Sequence, residues 1–230
     1  SWQTVYNMLD ENGNTIMVET QKWSMRLTED QYILDLEWLG NAITDITINE
    51  FDYGGMFLRM PWKEGMRAEV INAARHRDLE AEGKKAMWLD IGMQVDGRDD
   101  LAHIAIFDHP RNTDAPTPWR VDGQFGVGPA RSINGDWSIE KGTSEIIRYQ
   151  LRVFTGELND LELTNQWVEW GGNTYPYATQ LWNMAQEEGE KEKFLEPNEA
   201  VEAMTINDGF NVNVWASEPM ITQPMAFCWD

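Results

Sequence analysis

Cysteine is almost missing from this chain. Cys228 is the only one in 230 residues, so neither an intrachain disulfide nor a thiolate metal cluster can form. Histidine is scarce too. His76, His103 and His109 show no ligand-like spacing, so no histidine-built metal centre is expected. Positive charge is short: 18 Lys and Arg stand against 39 Asp and Glu, a formal charge of −21. Such a surface repels nucleic-acid phosphates and anionic lipid headgroups, which argues against both as partners. Long apolar runs are absent. Stretches such as Ile104-Ala105-Ile106-Phe107 are far too short to span a bilayer, so no membrane insertion is expected. There is no phosphate-binding glycine loop and no nucleophile elbow, so no cofactor is implied. No signal peptide is visible at Ser1, which already reads as part of a strand.

Aromatic residues are plentiful, with 12 Trp, 8 Phe and 6 Tyr, ample for a packed core. The turn-rich Asp10-Glu11-Asn12-Gly13-Asn14 leads into Thr15–Glu19, a hairpin signature. Alternation at period two marks Lys22–Leu27, Tyr32–Leu39 and the long Ser144–Phe154. Shorter β-branched or apolar runs lie at Ile43–Ile48, Met56–Met60, Ala86–Ile91 and His103–Phe107. Residues 62–85 are polar and less periodic and read as a long loop with a helical turn. Many strands with turns between them predict an all-β antiparallel sandwich, the large mutarotase-like type being one candidate form.

Past Val153 the character changes. Residues 158–170 fit a helix with Leu161, Thr164 or Asn165 and Val168 on one face, stopped by Gly171-Gly172. Residues 186–193 are nearly all charged or polar, a solvated linker or exposed helix. A second helix is expected from Pro197 and a strand over 210–216. The expected organisation is a β-sandwich over 1–171, a helical linker over 172–204, and the cut-off start of another domain over 205–230.

Chemistry-bearing candidates are few. Asp108-His109-Pro110 closes a strand, where loops place binding groups; His109 would move protons, or it and Asp108 would simply cap the strand. Arg59 sits between apolar residues and needs a partner if buried. Trp119 with Arg120 would form a sugar-stacking platform, with Asn112 and Gln124 reaching hydroxyls, unless Trp119 is core. Asp90, Asp96, Asp99 and Asp100 surround a glycine-containing loop that fits no recognised calcium loop.

Two stretches carry a resemblance. Phe107-Asp108-His109-Pro110-Arg111-Asn112, then Pro116-Thr117-Pro118-Trp119 and Phe125-Gly126-Val127-Gly128-Pro129, resemble the PmoA-type family over about residues 1–165. Gly54–Arg59 and Ala86–Asp90 fit it in order. That family bears a methane-oxygenase label but is of unknown function, and its usual Asp-His-Pro-His-His-like segment is not found here. A methane monooxygenase subunit needs spanning helices and metal ligands, so methane chemistry is rejected. Leu195–Ala200, Asp208-Gly209-Phe210, Ala216-Ser217-Glu218-Pro219 and Pro224-Met225-Ala226 resemble the opening of the propeller in haem-containing, PVC-type membrane-bound dehydrogenases. This resemblance implies covalently linked dehydrogenase and cytochrome domains downstream, a periplasmic or secreted location, and a neutral or oxidised sugar as small-molecule ligand. Two readings follow. One is a carbohydrate-processing domain using Asp108, His109 and Arg59; the other is a non-catalytic binding or docking module.

Overall fold

A computed structural model describes residues 1–171, 197–204 and 211–214. The chain divides into two compact units, Ser1–Glu188 and Gly189–Asp230. In the first, seven antiparallel strands form one sheet in the order β1-β2-β3-β11-β7-β6-β5. They are β1 (Trp2–Leu9), β2 (Thr15–Leu27), β3 (Tyr32–Ala42), β5 (Ala68–Asn72), β6 (Trp88–Gln94), β7 (Leu101–Asp108) and β11 (Ser144–Gly156). Two small sheets pair β4 (Ile46–Ile48) with β10 (Trp137–Ile139), and β8 (Trp119–Val121) with β9 (Val127–Pro129). The expected antiparallel all-β fold is present, and among the described residues no barrel closes.

Local chemistry explains the connections. Asp10 folds the first hairpin by accepting from the backbone N–H of Asn12 at 2.9 Å and of Asn14 at 2.8 Å, an Asx-type turn. Gly13 there takes φ of 82°, which costs glycine nothing. Asp122 does the same in the β8–β9 turn, accepting from Gln124 N and Gly126 N.

The two faces of the large sheet are covered differently. On one face, Val70, Leu89, Ile91, Ile106 and Leu151 pack against Trp119, Val121 and Val127 of the β8–β9 sheet. On the other, Ile71, Trp88, Ala105 and Phe107 pack against Leu163 and Trp167 of helix α1 (Asp160–Trp170). Strands buried on both faces read as near-continuous apolar runs; Trp88–Met93 is buried at every position and broken by one charged residue, Asp90. Strands β2 and β3 have only a partial cover: Met17 and Ala42 pack with Ile139 of the β4–β10 sheet.

Helix α1 starts at Asn159, whose side chain accepts from Glu162 N, and is capped by Gly171, as its sequence predicts. Its buried face differs from the expected one. Leu163 and Trp167 are inside, whereas Leu161 is 67% exposed. Trp167 decides the rotation, because its indole N–H donates to the Asp108 carbonyl at 2.6 Å.

The run Met56–Met60 is no strand: only Leu58 makes a bridge, to Val127. Of Ile43–Ile48, only Ile46–Ile48 pairs. Conversely, residues 62–85 hold strand β5 as well as a 3-10 turn at Asp78–Ala81. The edge strand β5 is shielded by its own loop. Val70 N donates to Asp78 Oδ1, Asn72 N to the His76 carbonyl, and Ile71 bridges Arg77. At the opposite edge, β1 carries no charge, and Trp2, Val5, Tyr6, Met8 and Leu9 are exposed.

In the second unit, helix α2 (Pro197–Glu202) begins at the expected proline. Residues 211–214 of the expected strand have no regular structure, and its remaining residues lie outside the described ones. The linker 172–196 and the residues from 215 onward also lie outside them.

Candidate functional site

An apolar cleft of about 380 Å³ lies on the sheet face that carries Trp23, Leu36, Trp38 and Tyr149. Strands β2, β3 and β11 supply its floor. Its wall comes from Ile48, Trp137 and Ile139 of the small sheet and from the Gly54-Gly55-Met56 loop. The alternation of β2 and β3 places these side chains on one face, since residues two apart in a strand share a side. Glu19, Gln21, Arg131 and Ser132 are the polar members of the lining, with the Tyr149 hydroxyl.

Trp38 is held by a glycine. A Cβ on Gly40 would collide with the outer edge of the Trp38 ring and lie 2.9 Å from Met17 Sδ. The indole is therefore folded down along its own strand, and Gly40 provides the room for it. Loop closure uses a second glycine, because a Cβ on Gly54 would stand 2.8 Å from Ser132 Oγ. That hydroxyl in turn accepts from Trp137 Nε1 at 3.2 Å.

Arg131 is the cation of the cleft, and its charge is already met. Its guanidinium donates to Asp114 at 2.8 Å and to Glu145 at 3.1 Å, and lies 4.2 Å from the Trp137 ring centre. Stacking on an indole adds to such pairs. Tyr149 is held neutral: burial, and then the nearby Asp108 charge, raise its phenol well above the usual value. The cleft thus offers aromatic faces with few polar groups and no unpaired cation, the usual composition of a small-molecule site.

The residues singled out in the sequence do not line this cleft. Trp119 is completely buried and its indole N–H donates to the Ala86 carbonyl at 2.8 Å, so it is core and cannot stack a sugar. Arg120 straps loops together, paired with Glu82 and donating to Tyr53 Oη at 3.1 Å. Gln124 sits exposed in the β8–β9 turn, and Arg59 is exposed one residue past the Leu58–Val127 bridge. Neither is brought to His109 by any hydrogen bond or ion pair among the described residues.

Asp108, Asn112 and His109 do cluster, and their chemistry is structural. Asp108 is 2% exposed; it accepts from Asn112 Nδ2 at 2.7 Å and from Thr117 N at 2.8 Å. Burial raises its carboxyl to about 7, against those two hydrogen bonds. Asn112 also ties β11, donating to the Arg148 carbonyl and accepting from Arg148 N, both at 2.8 Å. His109 Nδ1 accepts from Arg111 N at 3.1 Å, and its ring centre lies 4.7 Å from that of Trp170, the two rings nearly perpendicular. Burial, with the positive charges of Arg148 and Arg111, lowers it to about 4, so it is neutral at physiological pH. The strand-capping alternative therefore describes Asp108 and His109.

Sequence reasoning missed one buried pair. His103 Nδ1 is 2.7 Å from Asp90 Oδ2, and its Nε2 is 3.2 Å from the Gly156 carbonyl. Gly92 makes the space: a Cβ there would lie 2.8 Å from His103 Cε1. The signal was a polar residue interrupting each of two apolar strands, but only the β6–β7 register puts them together. His103 borders a polar hollow of about 840 Å³ whose rim is ionic, including Arg67, Glu69, Arg77, Asp99 and Asp100.

Compared with known proteins, residues 1–168 match the profile of a family of unknown function, DUF6807. No curated protein and no solved structure matches. This corrects the resemblance drawn from the sequence. The match is to DUF6807 rather than to a PmoA-type family, and no propeller domain of a haem-containing dehydrogenase is found. The short motifs behind that resemblance are fold-making in part: Asp108, Asn112 and Trp119 all serve the core.

Proposed function

We propose that this chain, which belongs to the DUF6807 family through residues 1–168, binds neutral carbohydrate in the cleft over β2, β3 and β11. One observation carries the reading: Trp38 is laid flat by Gly40 within a cleft that also holds Trp23, Trp137 and Tyr149. A sugar ring presents C–H groups on its faces and hydroxyls at its edge. It suits an aromatic floor with a few hydrogen-bonding groups at the side. Glu19 and Gln21 are the edge groups here, and Arg131 is more than neutralised by its ion pairs with Asp114 and Glu145. With the chain at −21 and its one cleft cation already paired, sugar phosphates are disfavoured.

Binding rather than turnover fits the cleft best. Of its titratable lining groups, Glu19 shares a hydrogen bond with Gln21, Arg131 is locked in two ion pairs, and Tyr149 is held protonated. No two of them form the hydrogen-bonded acid and base that proton transfer needs.

Thermal-shift and calorimetric titration with neutral sugars, uronic acids and sugar phosphates tests the reading. A bound ligand stabilises in proportion to the logarithm of its concentration over Kd, so weak binders register at high millimolar levels. Neutral sugars should raise Tm, and Trp38→Ala should abolish the shift while leaving the folded spectrum intact. Preference for phosphorylated sugars, or indifference to Trp38→Ala, would refute the proposal.

A further inference from the structure

Beside the aromatic cleft lies a second cavity, of about 460 Å³, whose lining includes Lys85, Asp114, Arg131, Asn134, Asp136 and Trp137. Arg131 and Trp137 line both cavities. The stacked pair, 4.2 Å apart, is thus a partition seen from two sides. It is firmly set: Arg131 is 15% exposed and tied to Asp114 and Glu145, and Trp137 is anchored on Ser132 Oγ. Each side of the partition has a different character. The cleft side is apolar and aromatic, whereas the other side gathers amide, ammonium and carboxylate groups.

The second cavity mixes charges of both signs. Lys85 and Arg131 line it with Asp114 and Asp136, and Glu145 also pairs with Arg131, so no excess positive charge attracts a simple anion. A ligand that uses donors and acceptors in equal measure fits such a lining, and a polyhydroxylated ring is one. We infer that the two cavities are adjoining subsites for successive units of a neutral oligosaccharide, with one unit on the Trp38 floor and the next beyond the Arg131–Trp137 partition. This rests on the carbohydrate reading above and adds the ligand's length.

The experiment is calorimetric titration of the intact chain with glucose, cellobiose, cellotriose, maltose, maltotriose, xylose, xylobiose and xylotriose. In at least one series the trisaccharide should bind tenfold or more tightly than the monosaccharide. Asn134 is exposed at the outer cavity, and its side chain makes no hydrogen bond among the described residues, so Asn134→Trp fills that cavity without disturbing the core. It should bring the trisaccharide down to monosaccharide affinity and leave the monosaccharide unchanged. Equal affinity along every series, or Asn134→Trp weakening both lengths alike, overturns the two-subsite inference. If monosaccharide binding nevertheless responds to Trp38→Ala, the cleft reading survives that result. Binding by no member of the panel overturns both.

Discussion

Asp108 and its neighbour His109 respond to pH in opposite directions, and separating them makes a sharp test. The Asp108 carboxyl moves from 3.8 when exposed to about 7 in the fold. Between those values the folded chain holds a proton that the unfolded chain has released, so stability falls as pH rises. At 1.36 kcal/mol per unit, the fall has a ceiling of about 4 kcal/mol across that window. For His109 the folded value drops from 6.5 to about 4. There the unfolded chain holds the extra proton, so stability rises with pH over nearly the same range. His109 is half-buried, and solvent reduces its contribution below what the shift alone implies. The intact chain should therefore show a shallow profile between about pH 4 and 7. His109→Asn removes the rising contribution and should expose the decline due to Asp108. Urea unfolding at half-unit pH steps, followed by tryptophan fluorescence, measures both curves. A His109→Asn profile that does not fall between about pH 4 and 7 would show that Asp108 is not buried as described.

Other perturbations follow from the same contacts. Trp167→Phe removes the bond to the Asp108 carbonyl and leaves that acceptor buried, a cost of about 1–3 kcal/mol in urea unfolding. Full wild-type stability would mean that α1 is not pinned there. His103→Leu strands Asp90, whose Oδ1 has no partner among the described residues. It should cost about 3–5 kcal/mol, and Asp90→Leu added to it should recover part of the loss. Burial pushes the His103 ring down, but the hydrogen bond and charge of Asp90, with the Gly156 carbonyl and Glu69, together raise it above 6.5, so its stabilising share is lost as pH climbs through that raised value. Replacing His103 should accordingly flatten the alkaline limb of the stability profile. Gly40→Ala forces the Trp38 ring off its strand, an overpacking cost of about 1–3 kcal/mol, with changed tryptophan fluorescence and lost sugar binding as the readouts.

The long strands were legible because their periodicity is sustained: Lys22–Leu27, Tyr32–Leu39 and Ser144–Phe154 all lie in strands. Strand β5 was not, because Ala68-Glu69-Val70-Ile71-Asn72 sits in a polar stretch with no period of its own. Its strand state comes from pairing with β6. Strands β8, β9 and β10 are three residues each, too short to display any period. The site was hidden for a related reason. Trp23 and Trp38 announce an aromatic strand face, but a sequence does not say whether such a face meets a core or a cleft. Trp119 shows the converse. A tryptophan after a proline-rich turn looked like a platform, and the packing of β8 under the large sheet made it core.

The unequal edges of the large sheet carry one more consequence. Toward β5 the edge is sealed by its loop and both faces are covered, whereas toward β1 the strand is open and the cover partial. Local opening free energy should then grade across the sheet, lowest at β1 and highest at β6 and β7. The cleft floor on β2 and β3 lies in the softer part of that gradient. A ligand bound there would stiffen the strands with most freedom to lose. Hydrogen exchange would register the ligand as a slowing of the local openings of β1, β2 and β3, with the amides of β6 and β7 slowing only as far as global unfolding does.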